Sequence, residues 1–144
     1  MEEGTGMEVT AALPHRYPFL MVDRVLALEP GCWAAAVKNV TSDDPFLDQT
    51  GRWPSVLLVE AMAQAAGMAS AAAGHAATAG VLAAVNRFRC GRAVVAGDRL
   101  LVVTRITRRF GSLVQARAVV RAGNARCGAA ELVLRVGMPE RRGE

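Results

Sequence analysis

Residues 54–73 read PSVLLVEAMAQAAGMASAAA, and no other stretch of the chain constrains the fold as much. Pro54 stands where the first turn of a helix tolerates a proline, because the N–H it lacks would have had no partner there. Ser55 is a residue type that caps helix N-termini. The interior is built from good helix formers, and Gly74 follows as a stop signal. The spacing therefore predicts one long helix over Pro54–Ala73. Ala63, Gly67 and Ala71 fall four apart and give that helix a smooth stripe. A helix apolar nearly all round is expected to be wrapped by other elements. Glu60 is its one carboxylate, and Gln64 lies a turn further on the same face. These two polar groups and the many small side chains make the segment too polar and too thin for lipid, so no membrane span is expected.

Outward from the helix the pattern changes. Beyond Gly80, β-branched residues and a period of two predict strands at Val81–Phe88, Arg99–Phe110, Leu113–Ala122 and Arg126–Val136. Turns at Gly97-Asp98, Phe110-Gly111-Ser112 and Gly123-Asn124 join the later ones. In the Leu113–Ala122 strand one face (Leu113, Gln115, Arg117, Val119) is wetter than the other (Val114, Ala116, Ala118, Val120), as in an antiparallel sheet packed on one side. Before the helix, Phe19–Leu28 and Cys32–Val40 read as a hairpin around Pro30-Gly31. Ser42-Asp43-Asp44-Pro45 is a turn or a helix-cap signal, and Met7–Leu13 a short helix stopped by Pro14. The order predicts a single α+β domain, with a curved antiparallel sheet around a long central helix. Its core spans about residues 8–136, with loose ends at 1–7 and 139–144.

The 144 residues suffice for one real core, and 52% of them are hydrophobic, which argues against disorder. The start Met1-Glu2-Glu3-Gly4 lacks a basic segment followed by an apolar one, so the expected location is cytoplasmic. Cys32, Cys90 and Cys127 lie far apart, with no CxxC pair and no histidine at a metal spacing. They read as reduced, buried, apolar thiols, and neither a metal nor a cofactor is expected. The formal charge is +4, carried almost entirely by arginine, with Lys38 the single lysine. Arginine forks suit phosphates and carboxylates, so an acidic partner or a phosphate-bearing substrate is expected. Nucleic acid is not, because no aromatic stacking pattern interleaves the basic residues.

Several strings resemble the FabZ-type 3-hydroxyacyl-(acyl carrier protein) dehydratases of the hot-dog superfamily. They are Leu13-Pro14-His15-Arg16-Tyr17-Pro18-Phe19, Lys38-Asn39-Val40-Thr41, Val56 to Gly67 with Glu60 and Gln64, Asn86-Arg87-Phe88-Arg89, and Val94 to Asp98. The resemblance implies a hot-dog fold and a dimer with its active-site tunnel between subunits. The implied reaction is loss of water from a 3-hydroxyacyl chain on acyl carrier protein or coenzyme A. That chemistry needs a base for the Cα proton and an acid for the departing hydroxyl. The family supplies a loop histidine and a helix glutamate, and Glu60 matches the glutamate. The helix start, with Trp53, Ser55 and Val56, would hold the thioester, its N–H groups facing the carbonyl. Gln64 would orient Glu60, a water or the substrate, or else bond to a dimer partner. Arg87, Arg89, Arg108 and Arg109, with Arg92 and Arg105 nearby, are the candidates for docking an acidic carrier.

The family's loop histidine is missing. Where the family writes H-F-P-G-x-P-x-x-P-G before this helix, the chain reads Pro45 to Ser55, in a shortened loop. Thr50 or Phe46 takes the histidine's place, depending on the direction of alignment, and neither is a base. The shortened loop looks similar to divergent dehydratase-like proteins of aryl-polyene and related polyketide-type clusters. In such systems a hot-dog subunit works with a different partner subunit. His15 is a structural residue of its string or a replacement catalyst. His75, just past the helix, would face the helix dipole, and Asp48 reads as a solvated loop acid or else as a helper of Glu60. Three activities follow as expectations. They are a dehydratase centred on Glu60, a hot-dog thioesterase in which Glu60 activates water, and a non-catalytic subunit of a homo- or heteromeric hot-dog assembly.

Overall fold

A computed structural model describes residues 19–71 and 80–136. It contains strands β1 (Arg24–Glu29) and β2 (Trp33–Asn39), helix α1 (Val56–Ser70), and strands β3 (Val81–Cys90), β4 (Arg99–Phe110), β5 (Leu113–Ala122) and β6 (Ala125–Arg135). All neighbouring strands pair antiparallel, in the order β1-β2-β4-β5-β6-β3. The two hairpins among β4, β5 and β6 turn on Gly111 and Gly123, both at φ 58°, a conformation that favours glycine.

One face of this sheet packs against α1. Inward side chains are small where the helix runs closest, as with Ala34, Ala36, Ala116, Ala118 and Ala130, and larger at Leu100, Val102, Val120 and Leu132. The helix answers with Leu58, Ala61, Met62, Ala65, Ala66, Met68 and Ala69, all buried. Alanine against alanine lets the sheet curl tightly round the helix. A Cβ added to Gly128 would stand 3.1 Å from Leu58 Cδ1.

The departures from expectation have local causes. The first strand begins at Arg24 and not at Phe19, because Phe19 and Met21 bond through their backbone to the helix residue Gln64. The helix ends at Ser70, not Ala73. Gly31 N–H reaches the Ala69 carbonyl at 2.7 Å, an Arg109 Nη2 donates to the Ser70 carbonyl at 2.6 Å, and Ala71 turns extended. Ser55 occupies the N-cap position, yet its side chain makes no capping bond. The helix is also less wrapped than expected, since Val56 is exposed and Val59, Glu60, Gly67 and Ala71 are only half-buried. Cys127 is buried as expected, but Cys32 and Cys90 are exposed, because they stand at or beyond the ends of β2 and β3. Desolvation first, and the Glu29 carboxylate second, push the Cys32 thiol up, away from a reactive thiolate. The expected helix at Met7–Leu13, the stop at Gly74, both histidines and the loose ends lie outside the described residues. No helix among the described residues is long and apolar enough to cross a membrane.

Candidate active site

Glu60 sits one turn into α1, half-buried, on the helix face that the sheet leaves uncovered. Gln64, 2% exposed, lies beside it and spends its whole amide. Its Nε2 donates to Glu60 Oε1 at 3.0 Å and to the Phe19 carbonyl at 2.7 Å, and its Oε1 accepts the Met21 N–H at 2.8 Å. A buried amide with every hydrogen committed cannot rotate without orphaning partners, and orphaned buried groups are expensive. Gln64 therefore does two things at once. It fastens the segment before β1 onto the helix, and it fixes one oxygen of the Glu60 carboxylate. The small residues Ala63 and Gly67 continue the same helix face beyond the acid.

The helix start is pinned from the other side. Arg52 bridges to Val95, Trp53 N–H donates to the Val94 carbonyl at 2.9 Å, and Ala96 N–H to the Gly51 carbonyl at 3.0 Å. Trp53 is thus drawn into the core at 3% exposure, and its indole N–H has no hydrogen-bond partner among the described residues. The N–H groups of Leu57 and Leu58 turn back onto the carbonyls of Pro54 and Ser55. Ser55 and Val56 stand exposed just ahead of them.

The loop that replaces the family's histidine segment is organised by its own acids. Asp48 Oδ1 accepts the Thr50 hydroxyl at 2.6 Å and the N–H groups of Thr50 and Arg52 at 2.8 and 3.0 Å. These bonds, the Thr50 hydroxyl's first, hold the Asp48 carboxyl below the usual aspartate range. Asp48 is therefore a loop organiser, which the Asp-x-Thr spacing signals as an Asx-type turn. Thr50 is exposed, and half-buried Phe46 packs against the core, so neither offers a base. Asp44 does a similar job one turn earlier, accepting the Phe46 N–H at 2.9 Å.

The arginines expected to dock a carrier do not form one cluster. Arg87 and Arg89 lie on edge strand β3, and Arg108 and Arg109 on β4, with β6 and β5 between. All four are exposed. Arg87 occupies a β-bulge at φ 53°, unusual for a residue with a side chain. Arg109 is partly committed to the end of α1. Arg92 is fully committed, since its guanidinium forks onto Asp98 at 2.7 and 2.9 Å. Those bonds hold the Asp98 carboxyl low, and Asp98 also accepts the Val95 N–H. Sequence gave no sign of this pair, because a turn acid and a loop arginine are common everywhere.

Of two clefts formed by described residues, neither is lined by Glu60. The larger, about 460 Å³, borders the site through Leu20 and Met21 but is walled mainly by Asp23, Lys38, Asp43 and Asp44. Its lysine bridges Asp23 and Asp44 at 3.7 and 3.6 Å. The apolar slot expected beside Glu60 is thus not one of these two.

Comparison with known proteins supplies the remaining constraint. A family described as ApeP-like, ApeP dehydratase, matches residues 7–133. A "3-hydroxyacyl-[acyl-carrier-protein] dehydratase FabZ" of Caldanaerobacter subterraneus subsp. tengcongensis is 37% identical over 131 residues, covering 88% of this chain and 93% of that protein. One from Listeria monocytogenes is 39% identical over 115 residues, covering 76% and 80%. Among solved structures, "The Dehydratase Heterocomplex ApeI:P from Xenorhabdus doucetiae" superposes with a TM-score of 0.80 at 21% identity, covering 92% of each chain. That likeness establishes the hot-dog fold.

Proposed function

Because this chain belongs to the ApeP-like dehydratase family, we propose that it removes water from a 3-hydroxyacyl thioester, with Glu60 as its acid/base group. The carrying observation is the oriented carboxylate itself: Gln64 holds Glu60 Oε1 at 3.0 Å on the open face of a buried helix. A carboxylate so placed is pre-organised, and general acid/base groups act only when geometry is right before the pKa matters. In this reading the Cα–H bond breaks toward one basic group while the Cβ–O bond breaks as its oxygen is protonated. The thioester survives. Ser55 and Val56 present N–H groups to the carbonyl, and Trp53 supplies a buried donor at the same end of the helix. Acyl carrier protein delivers the chain, guided by Arg87 and Arg89 or by Arg108 and Arg109. A cytoplasmic location goes with such a substrate.

A specific observation favours a second component. The loop that should bring a histidine carries Asp48 and Thr50, which hydrogen-bond to each other. The second proton-transfer group then comes from His15 or from a partner subunit. The ApeI:P relative is itself a heterocomplex, which supports the partner. We therefore favour a dimer of two different hot-dog subunits over a homodimer, with β3 as the open edge through which it forms.

The test is mass spectrometry of a 3-hydroxyacyl carrier thioester incubated with the chain alone, with a second hot-dog subunit, and with each in the Glu60→Gln form. Loss of water that disappears with Glu60→Gln supports the reading. Release of a free carrier thiol would replace it with a thioesterase. Full dehydration by Glu60→Gln would overturn the role of Glu60.

A further inference from the structure

The sheet face turned away from α1 carries a pattern the reaction does not use. Register places Ala35, Val103, Val119 and Ala129 in one row across β2, β4, β5 and β6. Two residues along the strands on one side, Arg105 stands directly opposite Arg117. Two residues along on the other, Leu101 stands opposite Arg121. On β4 and β5, Leu101, Val103, Arg105, Arg117, Val119 and Arg121 line an open cleft of about 370 Å³. Leu101 and Val103 are exposed at 36% and 40%. An apolar floor between arginine banks is not an ordinary solvated sheet face, where polar residues alternate outward.

Dimensions and charge select the occupant. The two banks are four strand residues apart, about 14 Å. An α-helix with its side chains is about 10–12 Å across, so one helix fits between them. The apolar row crosses four strands, about 14 Å at the usual spacing, which suits about ten residues of helix, and the arginines flank its central part on β4 and β5. A second copy of this face would bring arginine onto arginine. Arg105 opposite Arg117 is already a like-charge pair, which costs stability and is relieved by an anion between them. Glu131, at 3.4 Å from Arg117, and Glu29, bonded to Trp33, stand only at the ends of the arginine row. We propose that this face binds an acidic amphipathic helix of a partner protein, its apolar stripe on Val103 and Val119 and its carboxylates on Arg105, Arg117 and Arg121. The face lies across the sheet from Glu60, so its occupant does not feed substrate through it. It tethers the subunit.

The probe is a labelled synthetic helix with a leucine stripe at i, i+3, i+4 and i+7 and glutamates on both flanks, titrated against the full chain. Saturable binding is expected, weakened about tenfold by Arg105→Glu or Arg121→Glu and similarly by raised salt. Arg105→Glu removes a repulsive pair, so its Tm should hold, which separates lost binding from lost folding. A peptide with lysine flanks should not bind. Equal binding of both peptides, or none, overturns the proposal. A sedimentation coefficient that falls in Val103→Asp would also overturn it, by assigning the face to a second copy. Glu60→Gln should bind the peptide unchanged, so failure here and failure of the dehydratase reading are read separately.

Discussion

The helix and the loop before it each carry a carboxylate, in opposite circumstances. On α1, Glu60 has one oxygen steadied by a buried amide and lies on a face of small residues. In the loop, Asp48 is wrapped by Thr50 and Arg52 and spends its charge on its own backbone. Position along the chain separates them by little. What separates them is whose hydrogens they accept. Glu60 is steadied by a buried side-chain amide on the next turn of a packed helix, whereas Asp48, fed by the N–H groups of its own turn, has become part of the turn.

The contrast can be broken most severely at Glu60. Glu60→Gln should lower dehydration by about a hundred- to ten-thousand-fold with little change in Tm, measured on the assembled enzyme. Gln64→Leu comes next, with effects on both axes. It orphans the Met21 N–H and the Phe19 carbonyl, so Tm should fall by the equivalent of about 1–3 kcal/mol, seen in thermal melts. Activity should fall with it, and Gln64→Leu should lose more stability than Glu60→Gln. If Glu60→Gln proved the more destabilising, the carboxylate would be structural. Trp53→Phe should cost about tenfold in kcat/KM, the worth of one hydrogen bond to substrate, while the fold persists. Unchanged kinetics would assign the indole to packing alone.

Asp48→Asn should give the smallest effect, and one confined by pH. The carboxyl is lowered in the folded chain, so its contribution is present above the unfolded aspartate value of about 3.9 and is lost as pH falls through the folded value. Melts of the two proteins should therefore differ at pH 7 and converge in acid. A gap that persisted in acid would show that Asp48 acts other than through its charge.

The sheet and the helix were legible because periodicity and turn chemistry dictate them locally. The strands Arg99–Phe110 and Leu113–Ala122 fall where alternation and the turns Gly111 and Gly123 require. The end of α1 was not legible, since it depends on Gly31 and Arg109, far away in sequence. Glu60 and Gln64 stood out as the polar pair in an apolar helix, but the link from Gln64 to Phe19 and Met21 spans the domain. The arginines showed the converse: sequence grouped them by proximity in the chain, and the strand order parts them. The row Ala35, Val103, Val119 and Ala129 was invisible because register belongs to no single strand.

The committed amide of Gln64 also makes the two oxygens of Glu60 unequal. Its N–H points at Glu60 Oε1, and a carbonyl-type oxygen takes such a hydrogen better than a hydroxyl does. If Glu60 takes up a proton in the proposed reaction, this bond to Oε1 favours Oε2 as its seat. In the proposed reaction, one amide on the neighbouring turn would thereby sort the two oxygens of the acid into distinct roles.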